Sequence, residues 1–451
     1  MKKVLMIAYF FPPLGGAGVQ RTLKFVKYLP KFGWDPIVLT QRGGHHFAFD
    51  YEQLKDIPKG TKVVRAKSLE AVKLRSLIKS ALFRIFKIRA PGKTLESEGY
   101  FSISKRIPLL WWLRRLIENW IFIPDSKIRW FPAALLNGFR LAKYKDVKVI
   151  YSTSYPYTCH MVGYFIKRLT HKPWVVDFRD PWADNIYMTR HLSPLRKKID
   201  RWLESEVIRS ADSVILNTKS SYDSFVAKYA SERTRNFSVI TNGYDEDEFQ
   251  GLPVEKTEKF TMAYTGVLSE LTDPGCLFEA LSQFARENPL IGSHLEVLFV
   301  GYMDEKYKGK IRALGLNDIV RTLHYVSRRE CLRIIKRASV LILTLSQKTQ
   351  GQGIFPYKIF DYLMSRRPVL ALVPDDTAAN LIRETNSGSV IDPIDKEAIS
   401  EALLTFYKNF ENHQLIPNPH PLPVEYSVQY LTGELASILN RINGRANNEY
   451  S

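Results

Sequence analysis

The sequence is poor in cysteine and has no long uncharged apolar run. A disulfide framework or a zinc knuckle would need paired spacings, and none relates the three cysteines, Cys159, Cys276 and Cys331. We therefore expect reduced thiols in a cytosolic compartment. A membrane-spanning helix needs about 18 uncharged apolar residues. The most apolar stretch, Ile107 to Ile123, is interrupted by Arg114, Arg115 and Glu118.

The sequence also lacks a cluster of metal-ligating side chains, a phosphate-binding loop with a Walker lysine, and a Ser-His-Asp arrangement. We expect no bound metal and no cofactor. The short apolar run that follows Lys3 ends at Pro12 without a small-residue cleavage site, so it predicts a buried first strand and not a signal peptide.

Positive charge is abundant and local. The formal net charge is +19, and the segment from Lys62 to Arg115 holds 14 Lys or Arg against three acids, which gives +11. Its cations alternate with Leu, Ile, Phe and Trp, a mixture that favours an anionic membrane surface over nucleic acid. The alternative is a helical hairpin packed on its own domain with its lysines in water.

Short apolar strands alternate with helical patterns in two successive series. The first series opens with a strand at Val4–Phe10, and the second restarts with a strand at Thr261–Tyr264. Such alternation predicts an α/β protein with two Rossmann-like, doubly wound domains. We expect an N-terminal domain over residues 1–250 with a basic, Trp-rich insertion at about 65–125, and a second domain over 251–425. A C-terminal helix at 426–451 is expected to cross back to the first domain.

Three segments carry candidate ligand-binding residues. The first is the turn between the first strand and its helix, with Gly15, Gly16 and Gly18. Glycines there let the backbone approach an anion at a helix N-terminus. A tight turn without a ligand is an equal alternative.

The second segment, Asp177 to Trp182, lies at the end of a strand, where ligands bind in parallel sheets. Its candidate catalytic residues are Arg179 and Asp180. A structural ion pair is the alternative.

The third segment joins the predicted strand Val340–Leu345 to a helix and contains Gly353, Ile354 and Phe355. Its backbone N–H groups could face a diphosphate. Lys358 could add a positive charge and Asp361 could accept hydrogen bonds from a ribose. The alternative is a solvated ion pair, because residues three apart share a helix face. His160, near a helix start, is a further possible base but is more often structural at such a place.

In order along the chain, these residues resemble glycosyltransferase family 4. The similarity lies in the opening segment through Gly15-Gly16-Ala17-Gly18, in Pro173 to Trp182, in Thr241 to Asp245 and in Tyr264-Thr265-Gly266. It continues in Pro356 to Leu363 and in Arg367 to Leu370. It covers almost the whole chain outside residues 65–125.

The resemblance implies a GT-B fold, with two domains facing across a cleft. It also implies metal-independent transfer with retention of configuration. A nucleotide-diphosphate sugar would be held mainly by the second domain, including Gly266 and Lys358, and a glycan or lipid-linked acceptor by the first. Many members have two glutamates eight positions apart in the second domain. This chain has Gly353 at the first of these positions and Asp361 at the second. It also lacks the usual Arg and Lys after Gly266.

The resemblance further implies a role in surface polysaccharide or glycoconjugate biosynthesis. We expect a cytoplasmic enzyme held peripherally at the inner face of the cell membrane. The main alternative is a catalytically silent GT-B scaffold that binds a glycan or lipid-linked intermediate. A nucleic-acid binder is not expected, because the excess charge avoids the rest of the chain.

Overall fold

The computed structural model describes residues 1–42, 46, 48–68, 117–144, 146–185, 189–229, 236–253, 258–351, 354–415 and 418–449. The chain divides into two compact units. Unit 1 comprises Met1–Asn217, Phe225–Val239 and Gly433–Ser451, and unit 2 comprises Thr218–Ser224 and Ile240–Thr432. Each unit is built around one parallel sheet.

The sheet of unit 1 has seven strands in the order β3-β2-β1-β4-β5-β6-β7. Its strands are β1 (Lys2–Ile7), β2 (Trp34–Arg42), β3 (Lys62–Lys67), β4 (Val147–Ser154), β5 (Trp174–Phe178), β6 (Ser213–Leu216) and β7 (Phe237–Val239). The central strands are buried almost throughout, as apolar strands covered by helices on both faces require.

The sheet of unit 2 has six strands in the order β10-β9-β8-β11-β12-β13. Its strands are β8 (Phe260–Thr265), β9 (Leu295–Val300), β10 (Val320–Leu323), β11 (Val340–Thr344), β12 (Val369–Leu372) and β13 (Gly388–Ile391). Alternate residues of β8 enter different hydrophobic clusters: Met262 and Tyr264 lie in one cluster and Ala263 in the other. Both faces of this sheet are therefore covered, which is the doubly wound arrangement that the sequence predicts.

Helices connect the strands. In chain order they are α1 (Ala17–Tyr28), α2 (Phe131–Ala142), α3 (Thr158–Thr170), α4 (Pro194–Ser210), α5 (Lys219–Lys228), α6 (Leu277–Glu287), α7 (Pro289–His294), α8 (Glu305–Ala313), α9 (Arg328–Arg337), α10 (Lys358–Ser365), α11 (Thr377–Glu384), α12 (Lys396–Glu411) and α13 (Val428–Glu449). No helix in the described ranges is long and apolar enough to cross a membrane.

The last helix serves both units. Up to Thr432 it belongs to unit 2, and from Gly433 onwards it belongs to unit 1. In unit 1, the Oδ1 of Asn440 accepts a hydrogen bond from Trp34 Nε1 at 3.2 Å. The predicted return of the C-terminal helix to the first domain is confirmed.

Two strands were not predicted, and others are shifted. The first strand runs from Lys2 to Ile7 and not from Val4 to Phe10. The strand predicted at Thr261–Tyr264 is β8, which is one residue longer at each end. The unpredicted strands β3 and β13 are the edge strands of their sheets. Both are only partly buried, so they lack the apolar runs of the central strands.

Candidate functional site

The strand orders place a switch point in each sheet. Strand order reverses between β1 and β4 in unit 1 and between β8 and β11 in unit 2. Ligands of doubly wound proteins bind beyond the carboxyl ends of the strands at such points. In unit 1 this edge carries the Gly15–Gly18 turn after β1 and Arg179 after β5. In unit 2 it carries Gly266 after β8 and the segment before Lys358 after β11.

The glycine turn of unit 1 and Arg179 are in contact. Gly16 has a φ of 94° and caps α1, while the N–H of Gly15 donates to the carbonyl of Ala48 at 3.0 Å. Arg179 Nη1 donates to the carbonyl of Gly18 at 2.6 Å. Two separately predicted segments therefore meet at one edge of the sheet, and their contact fixes the guanidinium beside the turn.

Asp177, which opens the predicted acidic and basic cluster, belongs to the core. Its two oxygens accept hydrogen bonds from Arg21 Nε and Nη2, both at 2.8 Å. Thr153 donates to it at 2.9 Å and the hydroxyl of Tyr151 donates as well. Asp177 is fully buried. It therefore holds α1 and β4 to β5, and it is not available to a ligand.

Asp180, three residues later, lies in a different environment. It is exposed and has no hydrogen bond or ion pair among the described residues. The loop that follows it is fixed by buried Glu204 on α4, whose Oε2 accepts the N–H groups of Trp182 and Ala183 at 3.2 and 2.8 Å. A carboxylate on an immobilised loop at a ligand-binding edge is suited to chemistry, so the predicted role of Asp180 stays open to test.

His160 is buried and unsuited to act as a base. It is fully inaccessible, its Nδ1 lies 2.9 Å from Ser152 Oγ, and its ring packs 4.7 Å from that of Phe178. Burial lowers the pKa of His160 to about 3, so the imidazole stays neutral. The structural interpretation of this histidine agrees with these contacts.

In unit 2, the side-chain ammonium of Lys358 lies close to the backbone of Gly266. A Cβ added at Gly266, which has a φ of 119°, would lie 3.0 Å from Lys358 Nζ. The same Nζ lies 3.7 Å from the ring centroid of Tyr264 and has no hydrogen-bond partner among the described residues, although the atom is buried. Gly301 directly follows the neighbouring strand β9, so two glycines leave this edge of the sheet without side chains. Burying a cation without a counter-charge costs free energy unless an anionic ligand binds beside it.

The loop before Lys358 is described only in part. The N–H of Gly351 donates to Asp376 at 3.1 Å, so it is already used. Phe355 is buried and packs 5.1 Å from Phe360, whereas Ile354 is half-buried. Gly353 lies outside the described residues. The predicted contacts of Gly353, Ile354 and Phe355 with a diphosphate therefore remain predictions.

Asp361 has a partner that the sequence did not predict. Arg328 Nη1 and Nη2 donate to its two oxygens, both at 2.6 Å, and Arg328 Nη2 also donates to Glu248 at 2.8 Å. Burial alone would lower the pKa of Arg328, but the charges of Asp361 and Glu248 hold it well above its ordinary value. The solvated Lys358–Asp361 pair is not formed. Asp361 is 5% exposed, and both of its oxygens already accept hydrogen bonds from Arg328, so its predicted contact with a ribose remains a prediction.

Arg328 and Tyr264 are the residues at this edge that sequence reasoning missed. Arg328 opens α9, directly after Ser327, whose side chain caps the helix. The capping pattern identifies the start of the helix but does not reveal the ion pair. Tyr264 ends a predicted strand and belongs to the Tyr264-Thr265-Gly266 motif, but no contact with Lys358 was predicted for it.

Two further expectations concern the basic segment at 65–125 and metal binding. Almost all of the basic, Trp-rich segment at 65–125 lies outside the described residues. Across the described ranges, no group of three or more His, Cys, Asp or Glu side chains could hold a metal ion.

Comparison with known proteins gives the fold. Residues 245–418 match the family model described as glycosyl transferases group 1. No curated protein matches the chain in sequence. HepE from Anabaena, in complex with UDP-glucose, is 15% identical with a TM-score of 0.58 over 99% of this chain and 100% of that chain. The chain has the GT-B fold.

Two other GT-B structures are similar along their whole length. A mutant of TarM from S. aureus, in complex with fondaparinux, alpha-GlcNAc-glycerol and UDP, is 13% identical with a TM-score of 0.61 over 98% of this chain and 100% of that chain. Sucrose-phosphate synthase from Thermosynechococcus elongatus is 12% identical with a TM-score of 0.57 over 100% of this chain and 98% of that chain. At this identity the likeness shows the GT-B fold and leaves the chemistry to the residues themselves.

Proposed function

We propose that the protein is a glycosyltransferase that takes its sugar from a nucleotide-diphosphate donor held by unit 2. The observation that supports this most directly is the buried ammonium of Lys358, which lies beside the bare backbone of Gly266 at the switch point of the GT-B sheet. The group 1 match over residues 245–418 agrees with it. UDP is the first nucleotide to test, because the structures of HepE and TarM contain it.

The chemistry requires a cation at this place. Glycosyl transfer develops positive charge at the anomeric carbon and negative charge on the departing diphosphate. A fixed ammonium in a water-poor site stabilises that negative charge without reorganisation. We propose that Lys358 has this role, that no metal takes part, and that transfer proceeds with retention. Arg179 and Asp180 are proposed to act on the acceptor side, from unit 1.

Calorimetry with UDP and with uridine tests the donor site. Lys358→Ala should weaken UDP binding by about 1.5–3 kcal/mol, the value of a charge-assisted contact, and should leave uridine binding unchanged. Lys408→Ala, at an exposed lysine of α12, is the control and should bind both like the wild type. Equal UDP affinity for Lys358→Ala and the wild type would remove Lys358 from the site.

Turnover separates an enzyme from a silent scaffold. The purified protein is incubated with a panel of nucleotide sugars, with and without a membrane extract, and the release of nucleotide is measured. We expect release that increases with the extract, because the proposed acceptor is a glycan or a lipid-linked intermediate. UDP binding without release from any donor would favour the catalytically silent scaffold.

We also propose that the protein works at the inner face of the cell membrane, with the basic segment at 65–125 on anionic lipid. A variant with four cations of this segment changed to Ser should lose binding to anionic vesicles and keep its affinity for UDP. The four are Lys79, Arg84, Lys87 and Arg89. Binding should weaken with salt, because charges are screened beyond about 8 Å at physiological ionic strength. Equal binding of the wild type to neutral and anionic vesicles would contradict this proposal.

A further inference from the structure

Helix α4 of unit 1 has an unusual distribution of side chains. Its buried face carries charged residues, including Asp200 and Glu204, whereas its outer face carries Leu195, which is 54% exposed, and Trp202, which is 61% exposed. The two apolar residues are seven positions apart and therefore lie on one side of the helix, two turns from each other. Single exposed apolar residues are common, but two on one side of a helix form the start of an apolar patch.

Most of the exposed charges around these two residues are positive. The exception is Glu206, one turn after Trp202, whose carboxylate pairs with Arg209 at 2.9 Å. Lys198 and Arg201 are exposed on the same helix and form no ion pair among the described residues. The only acid from Thr189 to Trp202 is Asp200. Asp200 is 2% exposed, and its Oδ2 accepts from Arg196 Nε at 2.9 Å. The accessible charge over this stretch is therefore entirely positive.

A second pair of exposed apolar residues belongs to the segment that packs on the start of α4. Trp120 is 49% exposed and Ile121 is 56% exposed. Their neighbour Asn119 accepts the N–H of Ser193 at 2.8 Å, and Arg196 donates to the carbonyl of Pro124 at 2.6 Å. These bonds fix the segment beside the helix. We define the α4 surface by six residues, Trp120, Ile121, Leu195, Lys198, Arg201 and Trp202.

We propose that the α4 surface docks on an anionic lipid membrane. Lys198 and Arg201 match anionic headgroups in charge, and Trp is the aromatic residue that is enriched at the membrane–water boundary. The apolar side chains would enter to headgroup depth without spanning, as in other interfacial helices. Protein interfaces are also enriched in Trp and Arg, so the test below must separate lipid from a protein partner.

This inference rests on the proposed function, since it gives the enzyme a structured contact with the membrane that holds its acceptor. It differs from the proposal for residues 65–125, because it uses other residues that the structure describes. The variants of the two surfaces distinguish the two proposals from each other, and donor binding in unit 2 is measured independently of both.

Co-sedimentation with vesicles tests the α4 surface. The full-length protein is mixed with vesicles of phosphatidylcholine containing phosphatidylglycerol, and with vesicles of phosphatidylcholine alone. Lys198→Ser/Arg201→Ser should bind anionic vesicles about 30-fold more weakly than the wild type, since each surface cation contributes about 1 kcal/mol. Leu195→Ser/Trp202→Ser should lose at least about tenfold. Both variants should keep wild-type melting temperature and UDP affinity.

A matched control and a spectroscopic measurement complete the test. Leu136 on α2 is 51% exposed, and Leu136→Ser should bind vesicles like the wild type. Brominated lipids should quench part of the tryptophan fluorescence of the wild type, and that part should be smaller in Trp202→Phe, which still binds.

Three results would each overturn the proposal. The first is unchanged anionic-vesicle binding by both double variants. The second is equal wild-type binding to neutral and anionic vesicles, or binding to neither. The third is a loss of self-association, seen by light scattering, in place of a loss of lipid binding, which would assign the α4 surface to a second copy of the chain.

Discussion

Replacing Asp177 by Asn is expected to destabilise unit 1 strongly, although the residue lies only three positions before the candidate catalytic Asp180. Asp177 is fully buried and accepts two hydrogen bonds of 2.8 Å from Arg21, whose side chain is 2% exposed. An amide in place of the carboxylate leaves the guanidinium buried without a counter-charge. Breaking such a pair costs about 3–5 kcal/mol. For a unit of this size that corresponds to a melting temperature about 6–20 °C lower.

Thermal and urea denaturation measure this effect directly. Asp146→Asn is the control, because Asp146 is exposed and pairs with Lys3 at 3.3 Å on the surface, where an ion pair contributes about 0–1 kcal/mol. Replacing both members, as in Arg21→Met/Asp177→Leu, should restore much of the loss, since no buried charge then remains unpaired. A melting temperature for Asp177→Asn within about 2 °C of the wild type would refute the reasoning.

The same pair gives a pH dependence with a definite sign. Burial alone would raise the pKa of Asp177, but the charge of Arg21 and the hydrogen bonds from Arg21, Tyr151 and Thr153 hold it below the ordinary 3.8. The native state therefore binds this proton more weakly than the unfolded state does. Its stabilising contribution is complete above pH 3.8 and is lost as the pH falls through the native pKa. Asp177→Asn should lack this acid-dependent loss in the free energy of unfolding.

Three other substitutions test the candidate site. Asp180→Asn should reduce turnover without changing the melting temperature, and a large fall in melting temperature with normal specific activity would show a structural role instead. Gly266→Ala should cost about 1–3 kcal/mol in urea denaturation and should also weaken UDP binding, because its φ of 119° and its approach to Lys358 both oppose a Cβ. Arg328→Met should cost about 3–5 kcal/mol, since it leaves Asp361 and Glu248 without their cation, whereas Arg333→Met, at a residue that is 44% exposed, should cost little. A small loss for Arg328→Met would show that water or another group replaces the guanidinium.

The sequence was sufficient to predict the two sheets because their central strands are continuous apolar runs. Strand β11, for example, was predicted at Val340–Leu345 and occurs at Val340–Thr344. The edge strands β3 and β13 escaped prediction because each has a partly exposed face and few apolar residues. Burial on both faces therefore decides which strands of such a sheet can be recognised from sequence.

The site was predictable only where it depends on residues that are close together in the sequence. Glycines after a strand and a lysine at a helix start mark Gly266 and Lys358 within short segments. The ion pairs of Arg328 could not be found in this way, because Asp361 is 33 residues away and Glu248 is 80 residues away. The role of Asp177 is hidden for the same reason, since Arg21 precedes it by 156 residues. A charged residue at the end of a strand can pair with another residue in the core or contact a ligand. Which of the two occurs depends on residues that are far away in the sequence.

The passage of α13 from unit 2 into unit 1 has a consequence for synthesis on the ribosome. Strand β1 of unit 1 is made first, yet Asn440, which bonds Trp34, is made only after the whole sheet of unit 2. A domain that needs a segment from beyond another domain cannot reach its final packing before that segment has left the ribosome. The nascent form of unit 1 therefore has part of its surface uncovered while strands β8 to β13 are produced.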